Sequence, residues 1–552
     1  MKKLPICILS AFVATGIASV SADSEHSAKK PKLGVLIVVD QMRGDYPARF
    51  GPYFTGGLHR LLTEGAVFDS ASHEHANTET AVGHATLSTG CFPKHHGIVG
   101  NDFYDRAHDK IVYSVDDTLT RIVRTTVADL KRIDSLGASP QYLMKPSIGN
   151  WLKGEKTGRV FSVSLKDRAA ILMAGKVIDS ANQPNGVYWW DFETGDFVTS
   201  TAYTQKLPSW VDDFNRGPNK NVWQDSVWNR LLDSSKLYTY ESIGPDSVVL
   251  ENDGVHVAFP HHFNIERKGA GHYDAVYRTP LADQLLVQFA REMVRREKIG
   301  GGETTDLLML SCSAADAVGH AYGPHSQEIF DYYLRLDRYL DTLLCELDTL
   351  VGRDNYVVAL SSDHGVLDLP PAHDRIEKKQ FAKALGTGVV DSASVQFHDS
   401  AIFLLGSDIM FHRSRSDNFE LSQLTAIAAK VVLAFPHVDC VFDSASILPL
   451  AGIDDLIATE VANNWYSPRM PDLMVILKES KYLTSSKTGT SHGSPFWYDR
   501  HVPVVFWGHG IRAQHFGERV RTVDVAPTMA DLLGIKSPDS LDGHSLVGEI
   551  TQ

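Results

Sequence analysis

Residues Leu33 to Val39 read Leu-Gly-Val-Leu-Ile-Val-Val, an apolar, partly β-branched run that stops at Asp40. A strand with no polar alternation has no face to offer water, so it belongs inside a parallel sheet covered on both sides. Similar runs recur at Val160 to Leu165, Asp306 to Leu310, Tyr356 to Leu360 and Val502 to Trp507, each followed by polar or glycine-containing residues. Leucines and aromatics at helical spacing fill Ser326 to Leu350, and a second helical pattern, Val523 to Leu533, has Pro527 near its start. Strands alternating with helices make an α/β fold with a doubly wound, mostly parallel sheet, which holds ligands at the carboxyl ends of its strands. Functional residues are therefore sought at strand ends. The stretches at about 173–300 and 367–487 have weaker periodicity and more Trp, Tyr, Gly, Asn and Asp, and are expected to be insertions that cap the core.

Met1 to Ala22 has the layout of a cleavable secretory signal: Lys2 and Lys3, an apolar stretch from Leu4 to Val20, then small residues before Asp23. Asp23 to Lys32 is polar, rich in Ser and Lys, and reads as a flexible leader, so the catalytic domain is expected over 33–552. Export to the periplasm, the outer surface or the medium would permit disulfides. The spacing of Cys91, Cys312, Cys345 and Cys440, however, makes neither a metal clip nor a compact disulfide framework. The formal charge of -14, from 53 basic and 67 acidic residues without a long basic run, leaves no stripe for a nucleic-acid backbone and suits small soluble substrates better.

Asp40 closes the first strand, where a carboxylate serves as readily to cap a helix as to bind a metal. Asp316 and His320 stand four apart after the strand ending near Leu310, so one helical turn lets both meet a single cation. Asp363 and His364 follow Tyr356 to Leu360; neighbours reach one ion only from an irregular loop, which Gly365 permits. His492, in Ser491-His492-Gly493, precedes the last apolar run. Together these three Asp and three His supply oxygen and nitrogen for two adjacent zinc-like sites, with Thr80 bridging or capping one.

Thr80 opens Thr80-Ala81-Val82-Gly83-His84, whose small residues allow close approach to a helix start. Helix N-terminal amides and dipole favour a phosphoryl group and a deprotonated hydroxyl, although an ordinary Thr cap is the plainer reading. Lys166 and Arg168 are two apart, so a continuing strand would put both on one face to grip a dianion; a solvated strand end is the alternative. Asn101 could donate to a phosphoryl oxygen or stabilise a turn. His95-His96 and His261-His262 lack companion carboxylates at useful spacing and read as structural.

The ordered series Asp40, Thr80-Ala81-Val82-Gly83-His84, Gly100-Asn101-Asp102, Lys166-Asp167-Arg168, Asp316-x-x-x-His320, Asp363-His364-Gly365 and His492-Gly493 resembles the alkaline phosphatase superfamily. Within it, the series is most similar to the bacterial phosphate-irrepressible, threonine-dependent alkaline phosphatases. The tail, Thr522 to Thr528 and Leu541 to Leu546, is similar to that superfamily's closing segment. The resemblance implies an alkaline-phosphatase-like domain with two Zn2+ per chain, one held by Asp316, His320 and His492, the other by Asp40, Asp363, His364 and the Thr80 oxygen. It also implies that Thr80 is the nucleophile on small-molecule phosphate monoesters and that Asn101, Lys166 and Arg168 hold the transferring phosphoryl group. Related nucleotide phosphodiesterases lack the Lys-x-Arg pair and leave room for a second ester group. Two other expectations compete: a phosphodiesterase or nucleotide pyrophosphatase using the same two-metal site and, more remotely, an exported binding protein that uses Arg43-Gly44-Asp45.

Overall fold

The computed structural model describes residues 30–125, 137–154, 158–177, 185–218, 226–232, 243–262, 272–392, 402–413, 420–447 and 455–551. The expected signal, 1–22, and the leader up to residue 29 lie outside them. The apolar runs become strands of one ten-stranded sheet. These are β1 (Leu33–Val39), β2 (Ala66–Ser72), β3 (Ile122–Val123), β4 (Val160–Ser164), β5 (Gly186–Trp190), β6 (Phe197–Ser200), β7 (Asp306–Cys312), β8 (Tyr356–Ser361), β9 (Val504–Gly508) and β10 (Gln514–Arg521). Across the sheet they run β10-β2-β9-β8-β1-β7-β4-β5-β6-β3.

β1 lies between β7 and β8 and is parallel to both, with Leu33 opposite Asp306 and Tyr356. β4 and β5 extend the parallel block, and β10 is parallel to β2. β9 is the exception at the centre of the sheet, antiparallel to β8 and β2. Its amino end therefore lies at the edge where β1, β7 and β8 have their carboxyl ends.

Six helices matter here: α1 (Thr80–Thr89), α2 (Asp167–Ala174), α3 (Pro280–Glu297), α4 (Ala314–Tyr322), α5 (Gln327–Leu350) and α6 (Val525–Leu533). Alternate residues of β1 serve two cores. Leu33, Val35, Ile37 and Val39 pack with Phe289 of α3 and Leu336 of α5, whereas Leu36 and Val38 join Ala85 of α1, Leu172 of α2 and Met529 of α6. Burial on both faces is what an unbroken apolar run implies, and each such side chain contributes about 1.5–3 kcal/mol. Ser326 caps α5 by accepting from the Ile329 amide at 3.1 Å, which fixes the start of the long helix.

The two stretches read as caps behave differently. β5 and β6 lie within 173–300 and continue the central sheet, and α3 packs on it, so this stretch belongs partly to the main core. Within 367–487, Phe381, Leu385, Ile409, Leu424 and Val475 gather into a small core of their own. The described cysteines are unpaired, and no described helix is long and apolar enough to cross a membrane.

Candidate active site

Three strand ends and one strand start bring the selected residues together. Asp40 follows β1, and its amide donates to Cys312 O of β7 at 3.0 Å. Asp363 and His364 follow β8 through an irregular segment, as adjacent ligands require. Asp316 and His320 lie one turn apart on α4, with His320 Nε2 3.1 Å from Asp316 Oδ1. His492 precedes β9, and the antiparallel course of that strand carries it to the same edge, with Nε2 3.5 Å from Asp316 Oδ1. Two groups of ligand atoms each lie within 4.8 Å: Asp316, His320 and His492 in one, Asp40, Asp316 and His364 in the other. Asp316 is common to both. Asp363 adjoins the second group, its Oδ2 3.5 Å from His364 Nε2.

The three histidines are oriented in one way. Nδ1 donates to a backbone carbonyl in each: Thr490 O at 2.7 Å for His320, Gly365 O at 2.9 Å for His364, and Thr78 O at 2.7 Å for His492. A carbonyl only accepts, so Nδ1 carries a proton and Nε2 is the nitrogen turned toward the carboxylates, the one a metal would take. Buried Asp40 Oδ1, Asp363 Oδ2 and His364 Nε2 have no hydrogen-bond partner, a costly arrangement that a divalent cation would satisfy. Electrostatics follow from this crowding. Burial, reinforced by the charge of Asp363, raises the Asp40 carboxyl well above the usual range. Burial also opposes ionisation of Asp316, but the charges of His320 and Lys166 outweigh it and hold Asp316 low. For His492, burial pulls downward and the bond and charge of Asp316 prevail, so its pKa is raised.

Thr80 is the first residue of α1. Its buried Oγ1 accepts from Lys166 Nζ at 3.2 Å and from Arg168 Nη2 at 3.4 Å. Lys166 Nζ also lies 2.6 Å from Asp40 Oδ2 and 2.8 Å from Asp316 Oδ2. Burial disfavours its charge, but those carboxylates hold it protonated above the ordinary lysine range. The two cations converge for a reason other than strand alternation. β4 ends at Ser164, Lys166 immediately precedes α2, and Arg168 sits in its first turn. Asn101 Oδ1 accepts from the Ala81 amide at 3.0 Å, which tethers it beside the start of α1. α1 itself approaches closely, for a Cβ on Gly83 would lie 2.1 Å from Asp363 O.

Sequence patterns pass over several residues that hold this site. Gln41 adopts φ 65°, rare for a residue with a side chain; its amide donates to Asp363 Oδ1 at 3.1 Å and its Nε2 to Asp316 Oδ1 at 2.6 Å. His84 Nδ1 donates to Thr80 O at 2.8 Å and lies 3.2 Å from Asp363 Oδ2, tying the helix start to the strand end. The Tyr113 hydroxyl accepts from Arg168 Nη1 at 3.0 Å and donates to Asp167 Oδ1 at 2.6 Å. Their spacing alone does not show these roles, since the contacts with Asp363, Asp316, Asp167 and Arg168 join segments far apart in sequence. His261, read as lacking a carboxylate, meets Glu328 at 2.9 Å across the fold.

A doubly wound sheet carrying paired carboxylate–histidine groups, a buried threonine and two cations at its carboxyl edge is built to receive metal ions and an oxyanion. The family described as type I phosphodiesterase / nucleotide pyrophosphatase matches residues 34–498, and the chain belongs to this family of the alkaline phosphatase superfamily. It is 32% identical to alkaline phosphatase PafA of Elizabethkingia meningoseptica, over 98% of each chain. It is also 32% identical to alkaline phosphatase PhoV of Synechococcus elongatus, covering 94% of this chain and 92% of that one. A crystal structure of wild-type PafA matches with a TM-score of 0.84 at 31% identity, covering 95% of this chain and 99% of PafA.

Proposed function

We propose that the chain is an exported phosphatase that hydrolyses small-molecule phosphate monoesters, using two zinc ions and a phosphothreonine formed on Thr80. The observation that carries this reading is the convergence of Lys166 and Arg168 on Thr80 Oγ1 beside the carboxylates. Asp316, His320 and His492 would hold one zinc, and Asp40, Asp363, His364 and Thr80 Oγ1 the other. Zinc bound there supplies Lewis acidity, favouring an ionised hydroxyl and offsetting charge on a departing oxygen.

Thr80 Oγ, its proton given up to solvent, attacks phosphorus as the ester P–O bond breaks, and the departing oxygen keeps the bonding pair and takes a proton from water to leave as the alcohol. Water then attacks the phosphothreonine, releasing phosphate and restoring the hydroxyl. Through both steps Lys166 and Arg168 face the non-bridging oxygens and Asn101 is positioned beside them, so charge there meets fixed donors rather than reorganising solvent. Two cations match the dianion of a monoester, and their bulk occupies the place a second ester substituent would need.

The family description favours a second reading, phosphodiester or pyrophosphate hydrolysis at the same site. Rates on an aryl phosphate monoester and its methyl diester separate the two, and the monoester should be much the faster; diester preference would overturn the proposal. Thr80→Ala should abolish turnover while metal analysis finds both ions still bound. Undiminished hydrolysis by that variant would exclude the phosphothreonine.

A further inference from the structure

The three nitrogens of the Arg168 guanidinium are engaged unequally. Nη1 donates to the Tyr113 hydroxyl at 3.0 Å, Nη2 to Thr80 Oγ1 at 3.4 Å, and the buried Nε has no hydrogen-bond partner among the described residues. The hydroxyl is itself held. Its one proton goes to Asp167 Oδ1 at 2.6 Å, the same oxygen that accepts from the Arg168 amide at 2.6 Å. With that proton spent, Oη can only accept, which is what Nη1 needs. A second carboxylate stands close enough to draw the guanidinium away: burial and the charge of Glu79 raise the Asp102 carboxyl, and the charge of Arg168 opposes them.

Tyr113 ends a hairpin of Asp102–Asp105 and Lys110–Tyr113, in which it stands opposite Asp102. Just past the hairpin the Ser114 amide donates to Asn101 O at 2.8 Å, so Asn101 and Tyr113 are fixed to one piece of backbone. That piece is anchored on two sides. Phe103 and Val112 pack with Phe442 and Met474, while Tyr113 packs against the core that holds Ala85 and Leu172. We propose that Tyr113 is the positioning residue of Arg168: by holding Nη1 it keeps Nη2 and the unpartnered Nε turned toward the non-bridging oxygens of a phosphoryl group at Thr80. A fixed guanidinium gains most from a dianion, so Tyr113 contributes to the preference for monoesters over diesters. This deepens the monoesterase reading and rests on it.

The test measures kcat/KM of the zinc-loaded protein on an aryl phosphate monoester and its methyl diester. Tyr113→Phe keeps the ring and removes the hydroxyl. It should lower the monoester value by about tenfold or more and the diester value by clearly less, with zinc content unchanged, because a hydrogen bond to a charged group is lost. In an Arg168→Ala background the same substitution should change the monoester value by less than about twofold, since the group it acts through is gone. An unchanged monoester value, an equal fall on both esters, a fall that tracks lost zinc, or an undiminished loss without Arg168 would overturn the role of Tyr113. Asp167→Ala, which takes away the acceptor that orients the hydroxyl, should lower the monoester-to-diester ratio by the same route. If Tyr113→Phe does not fold, a ratio unchanged by Asp167→Ala overturns the role in its place. A wild-type protein that prefers the diester, or hydrolyses no monoester, removes the monoesterase reading and this role with it, whereas a monoesterase indifferent to Tyr113→Phe loses only the role.

Discussion

Two histidine clusters lie close to α1, a front one near its start and a rear one at Thr86, and they differ in what their second ring nitrogen meets. In the front cluster, His320, His364 and His492 each spend Nδ1 on a backbone carbonyl and turn Nε2 toward Asp316, Asp40 or Asp363. In the rear cluster, His73, His75 and His96 are fully buried with no carboxylate in bonding contact. His73 Nε2 donates to Ser362 O at 3.0 Å and its Nδ1 meets Thr522 Oγ1 at 2.8 Å. His96 Nδ1 accepts from the Ile98 amide at 3.1 Å, so Nε2 carries the proton and donates to Thr86 Oγ1 at 3.2 Å. Burial lowers His73 to about 4 and His96 to about 3, keeping both neutral. Imidazoles alone make a packed polar core; carboxylate companions and a free lone pair turn them into a cation site.

The sharpest way to break this contrast is to remove the shared carboxylate. Asp316→Ala should cost on the order of 10³-fold or more in kcat/KM and release metal, because two histidines lose their companion and Lys166 loses a buried counter-charge. Activity near wild type with full metal content would refute the assignment of Asp316.

A smaller effect should appear in the acid dependence of stability. The pKa of His96 is depressed in the folded protein, so its contribution is full above the ordinary value of 6.5 and drains as pH falls toward about 3. Asp283 and Asp408, both raised to about 7, work in the opposite direction, losing stability as pH rises toward that value. The useful quantity is therefore the unfolding free energy of wild type minus that of His96→Asn. It should fall by about 1.5 kcal/mol from pH 6.5 to 5 and stay flat above 7. A difference independent of pH would contradict a neutral, buried His96.

Least of all, Thr86→Val should destabilise by about 1–2 kcal/mol in denaturant titration, since it leaves the ring nitrogens of His96 and His75 without their shared hydroxyl. Metal content should not change. Metal loss in this variant would show that the rear cluster belongs to the cation site after all.

Much of the candidate site was legible in the chain because the residues that converge there are bound to elements with strong local signals. Asp40 ends an unmistakable buried strand, the Asp316–His320 spacing is that of a helix turn, and Gly365 marks the loop that lets Asp363 and His364 act together. Other features had no local signal. The strained backbone of Gln41 and the bridge made by His84 depend on partners across the fold. The role of β5 and β6 as sheet strands, inside a stretch read as a cap, is set by neighbours they reach only after folding. Lys166 and Arg168, two apart in the chain, both reach Thr80, yet a strand-to-helix turn, not strand alternation, aims them there.

Apolar patterning and short spacings, which are local properties of a chain, determined that this protein is a doubly wound α/β molecule and which side chains could bear its chemistry. Tertiary structure alone decided that His492 reaches the site, because the reversal of β9 brings the start of a strand to the edge where its neighbours end. It also decided which histidines face carboxylates and which face one another, since burial and hydrogen-bond direction arise from segments hundreds of residues apart.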